Sequence, residues 1–246
     1  MARLIWIDEQ TPLPTPDHAS ADGLLAAGGS LTVARLEEAY RKGIFPWFNE
    51  GEPVLWWSPD PRMILACEDF RVSHSLAKKL RQVARNECAP DAPIRITTDT
   101  AFERVIAACA GPRATQPGTW ISPAMQSAYL AWHYAGTAHS VETWIDGELA
   151  GGVYGVNLGS FFFGESMFSR SSNASKLALA YLVRFLQARG IRHIDCQQQT
   201  SHLASLGAMP MPRSAFQTLL AGTVHNTAPP WSVGQILHSG ALARNG

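Results

Sequence analysis

Two stretches of the sequence place polar side chains where an apolar run ends, and both carry groups capable of acid–base chemistry. The first, HIDCQQQ over residues 193–199, runs from apolar positions directly into Asp195, Cys196 and Gln197. The second, FFFGESMF over residues 161–168, sets Glu165 among Phe and Met side chains. Buried polar groups are costly unless they are hydrogen-bonded, so each stretch predicts a structural polar network or a functional site.

The polar residues at the end of the first stretch are assigned to faces by strand alternation. Asp195 and Gln197 are predicted to point to one face of the strand, and Ile194 and Cys196 to the other. A cysteine on the apolar face is typical of core packing, which disfavours a cysteine nucleophile with His193 as its base. Crossover folds tend to bind ligands at such strand ends, so Asp195 and Gln197 are site candidates. The alternative is a hydrogen-bonded pair that closes the sheet.

Glu165 is a site candidate on physical grounds, because a carboxylate in an apolar setting needs a partner or a raised pKa. A buried structural ion pair explains the same residue equally well. The neighbouring Phe and Met side chains predict either a pocket for a bulky apolar group or ordinary core.

The elements that position these residues are predicted from periodicity and end signals. Helices are expected after the N-caps Thr32, Ser73 and Ser122 and after a Thr100–Glu103 capping box. Three antiparallel strands are expected from AHSVETWI, ELAGGVYGVNL and SFFFGESMF, with turns at residues 146–147 and 158–160. NASKLALAYLVRFLQARG then predicts a buried crossover helix, followed by the strand IRHIDCQ and two shorter helices. This order predicts an α+β fold with a mixed sheet.

Residues 1–68, rich in Trp, Pro and Gly, predict a small N-terminal domain, and residues 69–246 a second domain. Within the first, Trp47, Trp56 and Trp57 lie in irregular chain. They are interpreted either as a small aromatic core under a Pro-rich loop or as a stacking platform for a planar ligand such as a base.

The formal net charge is zero, so any anionic partner must be bound locally. The run from Arg71 to Arg85 carries basic residues and no acidic ones, although a solvated helix face explains so short a run. The four cysteines form no CxxC pattern, which favours a reducing, cytoplasmic compartment, and no apolar window is long enough to span a membrane. The sequence contains no GxxxxGK[ST], GxSxG or HExxH motif, and nothing demands a metal or nucleotide cofactor.

The motifs together resemble one family. GLLAAGGSLTVARLEEAYRKGIFPWF, LWWSPDPR, GTWISPAM, GGVYGVNLGSFFFGESMFSRSSNASKLAL and IDCQ…HLASLGA occur in this order between residues 23 and 215. They are similar to the leucyl/phenylalanyl-tRNA–protein transferase family. The resemblance implies an aminoacyltransferase that moves Leu, Phe or sometimes Met from tRNA to the N-terminal Arg or Lys of a protein, marking it for degradation. It also implies a small N-terminal α/β domain and a GCN5-related acyltransferase-like (GNAT-like) catalytic domain. The protein is further expected to act as a monomer without a cofactor.

Residue roles follow from the resemblance by motif. The family's catalytic carboxylate and amide correspond to Asp195 and Gln197, and its substrate-contacting glutamate corresponds to Glu165. The tryptophans near the 3′-adenosine correspond to Trp47 and Trp120. The pocket for the transferred side chain corresponds to Val153, Phe162 and Met167, where family members can carry a larger Met in place of Val153. The basic helix residues Lys78, Lys79 and Arg81 are candidates for contacts with the tRNA backbone.

Two other functions remain open from the residues. A carrier-dependent acyltransferase of the same fold is one, but the loop SRSSNAS has no glycine with which to cradle a CoA pyrophosphate. An RNA-binding module built on the tryptophans and the basic helix is the other. The transferase needs no ATP, because the ester of an aminoacyl-tRNA is already activated and catalysis consists of positioning, amine deprotonation and oxyanion stabilisation. Gln197 is expected to orient the amine, with Asp195 holding it or taking the proton indirectly.

Overall fold

The computed structural model describes residues 4–111 and 120–243. Its first part is a four-stranded sheet of order β1-β2-β4-β3, in which β1 and β2 are parallel and the other neighbours antiparallel. The elements are β1 (Ile5–Ile7), β2 (Leu24–Gly28), helix α1 (Val33–Arg41), β3 (Phe45–Pro46) and β4 (Leu55–Trp57). Helix α1 begins at its predicted cap, where the Thr32 hydroxyl accepts a hydrogen bond from the Arg35 amide, and Gly43 ends it with φ +69°.

The second part is an eight-stranded mixed sheet of order β11-β5-β10-β9-β8-β7-β6-β12. Its strands are β5 (Arg62–Ala66), β6 (Ile94–Thr98), β7 (Ala138–Ile145), β8 (Glu148–Leu158), β9 (Phe161–Ser169), β10 (His193–Asp195), β11 (Met209–Met211) and β12 (Gly234–Gln235). Its helices are α2 (His74–Asn86), α3 (Phe102–Ala110), α4 (Pro123–Tyr134), α5 (Ala174–Gln187), α6 (Ser201–Ser205) and α7 (Arg213–Ala221). The α+β class and the mixed sheet are therefore confirmed.

The central strands β7, β8 and β9 form the predicted antiparallel meander. Both predicted turns are present, with φ +50° at Asp146, +83° at Gly147 and +57° at Gly159. Strand alternation sends side chains into two cores, one on each face of the sheet. One core contains residues of α1, α3, α4 and α7, and the other contains residues of α2 and α5.

Helix α5 is the predicted buried crossover and carries the chain from β9 to β10. It packs closely against β8, because a Cβ atom at Gly151 would lie only 2.6 Å from that of Ala174. After α5, β10 enters the sheet parallel to β9 and antiparallel to β5. This insertion brings the segment that begins at Asp195 beside Glu165 of β9.

The predicted Thr100–Glu103 capping box is wrong. Helix α3 has Ala101 at its N-cap position, with no side-chain cap hydrogen bond. The Thr100 hydroxyl instead donates to buried Glu142 on β7, at 2.9 Å. A tertiary hydrogen bond to a carboxylate thus replaces the local cap.

Several strands were not predicted from the sequence, among them β11 and β12. The predicted domain boundary at residue 68 stays a prediction. Strand β5 comes before this boundary in the chain and pairs within the large sheet. The predicted strand IRHIDCQ is shorter in the structure, where β10 spans only His193–Asp195. Across the described ranges, no helix is both long enough and apolar enough to cross a membrane.

Candidate active site

A cavity of about 570 Å³ opens where β9 and β10 part. The two strands pair only at Ile194 with Phe162 and Asp195 with Phe163, after which β9 continues to Ser169 while β10 ends. The wall of the cavity includes Phe45, Trp47, Leu65, Trp120, Val153, Glu165, Met167, Phe168, Leu179, Ile194, Cys196, Gln197 and Leu206. The other polar residues of the wall are Ser166, Ser169, Ser175, Gln198, Thr200 and His202. A largely apolar wall with several polar groups is common for small-molecule sites.

Glu165 is the carboxylate that reaches this cavity, and two tyrosines hold it. Its Oε1 accepts a hydrogen bond from the Tyr40 hydroxyl at 2.7 Å, and its Oε2 accepts one from the Tyr129 hydroxyl at 3.0 Å. The two hydroxyls also contact each other. Burial raises the pKa of Glu165 to about 7, although both tyrosines act in the opposite direction. The expectation that Glu165 needs a partner or a raised pKa is confirmed on both counts.

Asp195 lies behind the cavity wall and is paired with Arg62. The guanidinium donates from Nε to Oδ1 at 2.8 Å and from Nη2 to Oδ2 at 2.7 Å, and both side chains are buried. Arg62 also lies over the rings of Phe45 and Phe216. The bidentate geometry and the stacking fix the carboxylate, which is not among the groups lining the cavity.

Gln197 lines the cavity, because its backbone leaves the extended conformation on which strand alternation depends. Its φ is +54°, in the left-handed region, and its amide N–H donates to Asp195 Oδ1 at 2.8 Å. The prediction that Asp195 and Gln197 share one face is therefore wrong, because the strand ends at Asp195 and the chain turns. The side-chain amide of Gln197 points towards Glu165, with Nε2 3.5 Å from Oε1.

Cys196 is part of the cavity wall and packs against the α2–α5 core. Burial raises the pKa of its thiol, so the thiol stays protonated at neutral pH. This agrees with its predicted role in packing, but the predicted faces are wrong, because Ile194 and Cys196 line the cavity and Asp195 does not. His193, the base considered for it, stacks towards Phe161 instead.

The predicted substrate-binding residues are brought together with one exception. Trp47, 38% exposed, and Trp120 both line the cavity, as do Val153 and Met167. Phe162 is 1% exposed and is not part of the wall, although it belongs to the same core as Val153. Gly118 and Thr119 of the GTWISPAM motif lie outside the described residues.

The predicted tRNA-backbone residues lie apart from the cavity on helix α2. Lys78 and Arg81 are exposed and Lys79 is half-buried, while Leu76 and Leu80 of the same helix face the core. Among the residues described, no cluster of three His, Cys, Asp or Glu side chains is placed to hold a metal ion.

Reasoning from the sequence missed the residues that hold the two carboxylates, namely Arg62, Tyr40 and Tyr129. The sequence does indicate a role for Arg62, since an arginine at the start of the apolar run RMILA predicts a buried acidic partner. It gives no such indication for the tyrosines, because their helical positions are equally typical of core residues.

The chain matches two protein-family descriptions. Residues 64–221 match the leucyl/phenylalanyl-tRNA protein transferase family, and residues 29–60 match the N-terminal domain of the same transferase. The leucyl/phenylalanyl-tRNA–protein transferase of Bordetella avium is 58% identical over 242 residues, which cover 98% of this chain and 97% of the relative. That of Bordetella petrii is also 58% identical over 242 residues, covering 98% of this chain and 96% of the relative.

Among solved structures, the chain is similar to a GCN5-related N-acetyltransferase from Kribbella flavida. The TM-score is 0.34 at 12% identity, covering 71% of this chain and 59% of the other. The family match extends over most of the chain, and the relatives match it almost from end to end. The chain therefore belongs to the leucyl/phenylalanyl-tRNA protein transferase family.

Proposed function

We propose that the protein transfers Leu, Phe or Met from aminoacyl-tRNA to the N-terminal Arg or Lys of an acceptor protein, which is thereby marked for degradation. The observation that carries this proposal is the cavity between β9 and β10. It combines an apolar wall with two tryptophans and a polar group formed by Glu165 and Gln197. Membership in the family supports the same reaction.

The apolar part of the cavity receives the side chain of the transferred amino acid. Val153 and Met167 line it directly, and Phe162 supports them from within the core. Leu, Phe and Met share a large apolar surface and no charge, so burial in this wall favours all three by about 1.5–3 kcal/mol each. Met167 is flexible and polarisable, which suits a pocket that accepts both aliphatic and aromatic groups.

The tryptophans bind the terminal adenosine of the donor. Trp47 directly follows β3, Trp120 precedes α4, and both line the cavity. Trp47 is fixed by an edge contact with Trp57, whose indole N–H donates to the Trp47 carbonyl at 2.7 Å. A ring held in this way offers a face for base stacking without further loss of side-chain entropy.

Gln197 orients the amine of the acceptor, and Asp195 holds Gln197. The Gln197 side-chain N–H groups are directed at Glu165, which leaves the amide oxygen to accept a hydrogen bond from the amine. Asp195 fixes the unusual backbone of Gln197 through its amide N–H, and Arg62 fixes Asp195. Because Asp195 is buried and bound at both oxygens, its role is to position Gln197.

The remaining parts of the proposal concern the setting of the reaction. Lys78, Lys79 and Arg81 contact the tRNA backbone from the exposed side of α2. The protein acts in the cytoplasm as a monomer, and the ester donor makes a cofactor unnecessary.

One experiment tests the reaction. The protein is incubated with radiolabelled Leu-tRNA and a peptide that begins with Arg, and labelled peptide is measured. The matched control is the same peptide with an acetylated N-terminus, which lacks the nucleophile and should stay unlabelled. Binding of Leu-tRNA without transfer would contradict the proposal and favour an RNA-binding module. Binding of acetyl-CoA with no transfer from tRNA would favour a carrier-dependent acyltransferase.

A further inference from the structure

Two carboxylates lie near the cavity, but they differ in access. Asp195 is fully buried, with both oxygens bonded to Arg62 and one also to the Gln197 backbone. Glu165 lines the cavity, and its carboxylate lies 3.5 Å from the Gln197 side-chain nitrogen. A proton acceptor must reach the proton that it removes, and Glu165 alone of these two carboxylates can do so.

We propose that Glu165 is the proton acceptor for the acceptor's α-amino group, and that Tyr40 and Tyr129 are positioning residues that hold it. This inference rests on the proposed function and assigns within it the step that deprotonates the nucleophile. Gln197 then places the amine beside Glu165 and does not itself act as a base, because a neutral amide is barely basic.

The number of hydrogen atoms available to Glu165, Tyr40 and Tyr129 is consistent with a carboxyl group that gains and loses a proton. Tyr40 contacts Glu165, Tyr129 contacts Glu165, and the two hydroxyls contact each other. With Glu165 ionised, the two hydroxyls supply two hydrogens for these three contacts. Protonation of the carboxyl supplies the third. Burial raises the pKa of both tyrosines well above 10, so they remain donors throughout the neutral range.

Glu165 accepts one proton from the α-ammonium group, and the neutral nitrogen forms a bond to the ester carbonyl carbon. When the carbon–oxygen bond to the ribose breaks, the leaving oxygen takes the proton held by Glu165. The second excess proton on nitrogen passes to the regenerated carboxylate and then to water, so each turnover releases one proton.

The pH profile of kcat tests this assignment at saturating Leu-tRNA and Arg-peptide, between pH 5.5 and 8.5, with ester hydrolysis in an enzyme-free blank subtracted. Tyr40→Phe and Tyr129→Phe each remove a hydrogen bond that stabilises the ionised carboxylate. Each should therefore shift the acid limb of the kcat profile to higher pH by about 1 unit. Most of the activity should be recovered at pH 8.5. Glu165→Gln should lower kcat about 100-fold or more at every pH.

The peptide amine is the same in all assays, and the imidazole of His202, which also lines the cavity, is present in all variants. A shift of the limb between variants therefore belongs to the cluster of Glu165 and the two tyrosines. Tyr→Phe keeps the ring contacts of Tyr40, whose centroid lies 5.1 Å from Trp132 and 5.0 Å from Phe163. The matched control is Tyr181→Phe, which removes a tyrosine hydrogen bond of 3.0 Å to Glu87, outside the cavity. It should leave the pH profile in place.

A second comparison separates positioning from general loosening of the fold. In the Glu165→Gln background, Tyr40→Phe should no longer move the pH profile, because the titrating carboxyl is absent. If the wild type transfers Leu but the acid limb is unshifted in both tyrosine variants, this inference is overturned and the proposed function stands. A Glu165→Gln variant within about threefold of wild type would have the same consequence. Absence of transfer by the wild type would overturn the proposed function and this inference with it.

Discussion

Arg62 binds both carboxylate oxygens of Asp195, although the two residues lie 133 positions apart in the chain. The pair joins β5 to β10, the two strands that run antiparallel beside the cavity. Asp195 in turn accepts the amide N–H of Gln197, so the position of Gln197 depends on a charge that is buried and compensated. The geometry of one cavity residue is therefore coupled to the stability of the fold.

The first prediction concerns that ion pair. Arg62→Met removes the cation and leaves the Asp195 charge buried, so the free energy of unfolding should fall by about 3–5 kcal/mol. The double variant Arg62→Met, Asp195→Leu should be distinctly less destabilised than the single one, because no charge is left unpaired. Urea unfolding measures both. The control is Glu37→Gln, which removes the charge that pairs with partly exposed Arg41 and should cost about 0.5 kcal/mol or less. Equal destabilisation by the single and double variants would show that the charge is not what matters.

The second prediction concerns the amide that faces the cavity. Gln197→Ala should lower kcat about 100-fold with a smaller change in KM for aminoacyl-tRNA, because the variant binds the donor but does not orient the amine. Asp195→Asn should act in the same direction, since it weakens the hold on the Gln197 backbone. The control is Gln199→Ala, two residues along the chain, exposed and outside the cavity wall. Single-turnover rates near those of the wild type in both test variants would point to assistance by the tRNA ribose instead.

Parts of this site were predictable from local sequence and parts were not. The meander around Glu165 was predicted to within one residue, because alternation and turn residues are local signals. The contact of Tyr40 with Glu165 joins residues 125 positions apart, and no periodicity encodes it. The face of Gln197 was assigned wrongly, because alternation holds only while the backbone stays extended and Gln197 is left-handed. Motif resemblance named most of the residues, whereas packing decided which of them reach the cavity.

The third prediction concerns the two tryptophans. Trp47→Ala and Trp120→Ala should each raise KM for aminoacyl-tRNA, by about 5- to 150-fold if one stacked base is lost, since stacking contributes roughly 1–3 kcal/mol. Their kcat should change less, because the reacting groups are untouched. Trp6→Ala is the control, as Trp6 is 65% exposed and outside the cavity wall. An unchanged KM in either variant would assign that tryptophan to packing alone.

The fourth prediction concerns the basic side of helix α2. Replacing Lys78, Lys79 and Arg81 by Ala should weaken tRNA binding and reduce the slope of log Kd against log salt concentration by about 2–3, because each phosphate contact contributes about 0.7–0.9. Filter binding at several salt concentrations measures the slope. Arg41→Ala is the control here, because Glu37 already neutralises that arginine. A slope unchanged from wild type would mean that the helix face is merely solvated.

The fifth prediction concerns stability and the protonation of Glu165. The pKa of this group is about 7 in the folded protein and near the ordinary value of 4.5 in the unfolded chain. Between these two values the folded state binds more protons, so the ionisation of Glu165 lowers the free energy of unfolding as the pH rises. The full effect is up to about 3 kcal/mol. Glu165→Gln abolishes this ionisation, so its stability relative to wild type should increase from pH 5 to pH 8. Urea unfolding at the two pH values measures the difference, and Glu87→Gln, which removes a carboxylate elsewhere in the fold, controls for general charge effects. A pH-independent difference between Glu165→Gln and wild type would contradict the raised pKa and remove the physical basis for a carboxylate that takes up a proton near neutral pH.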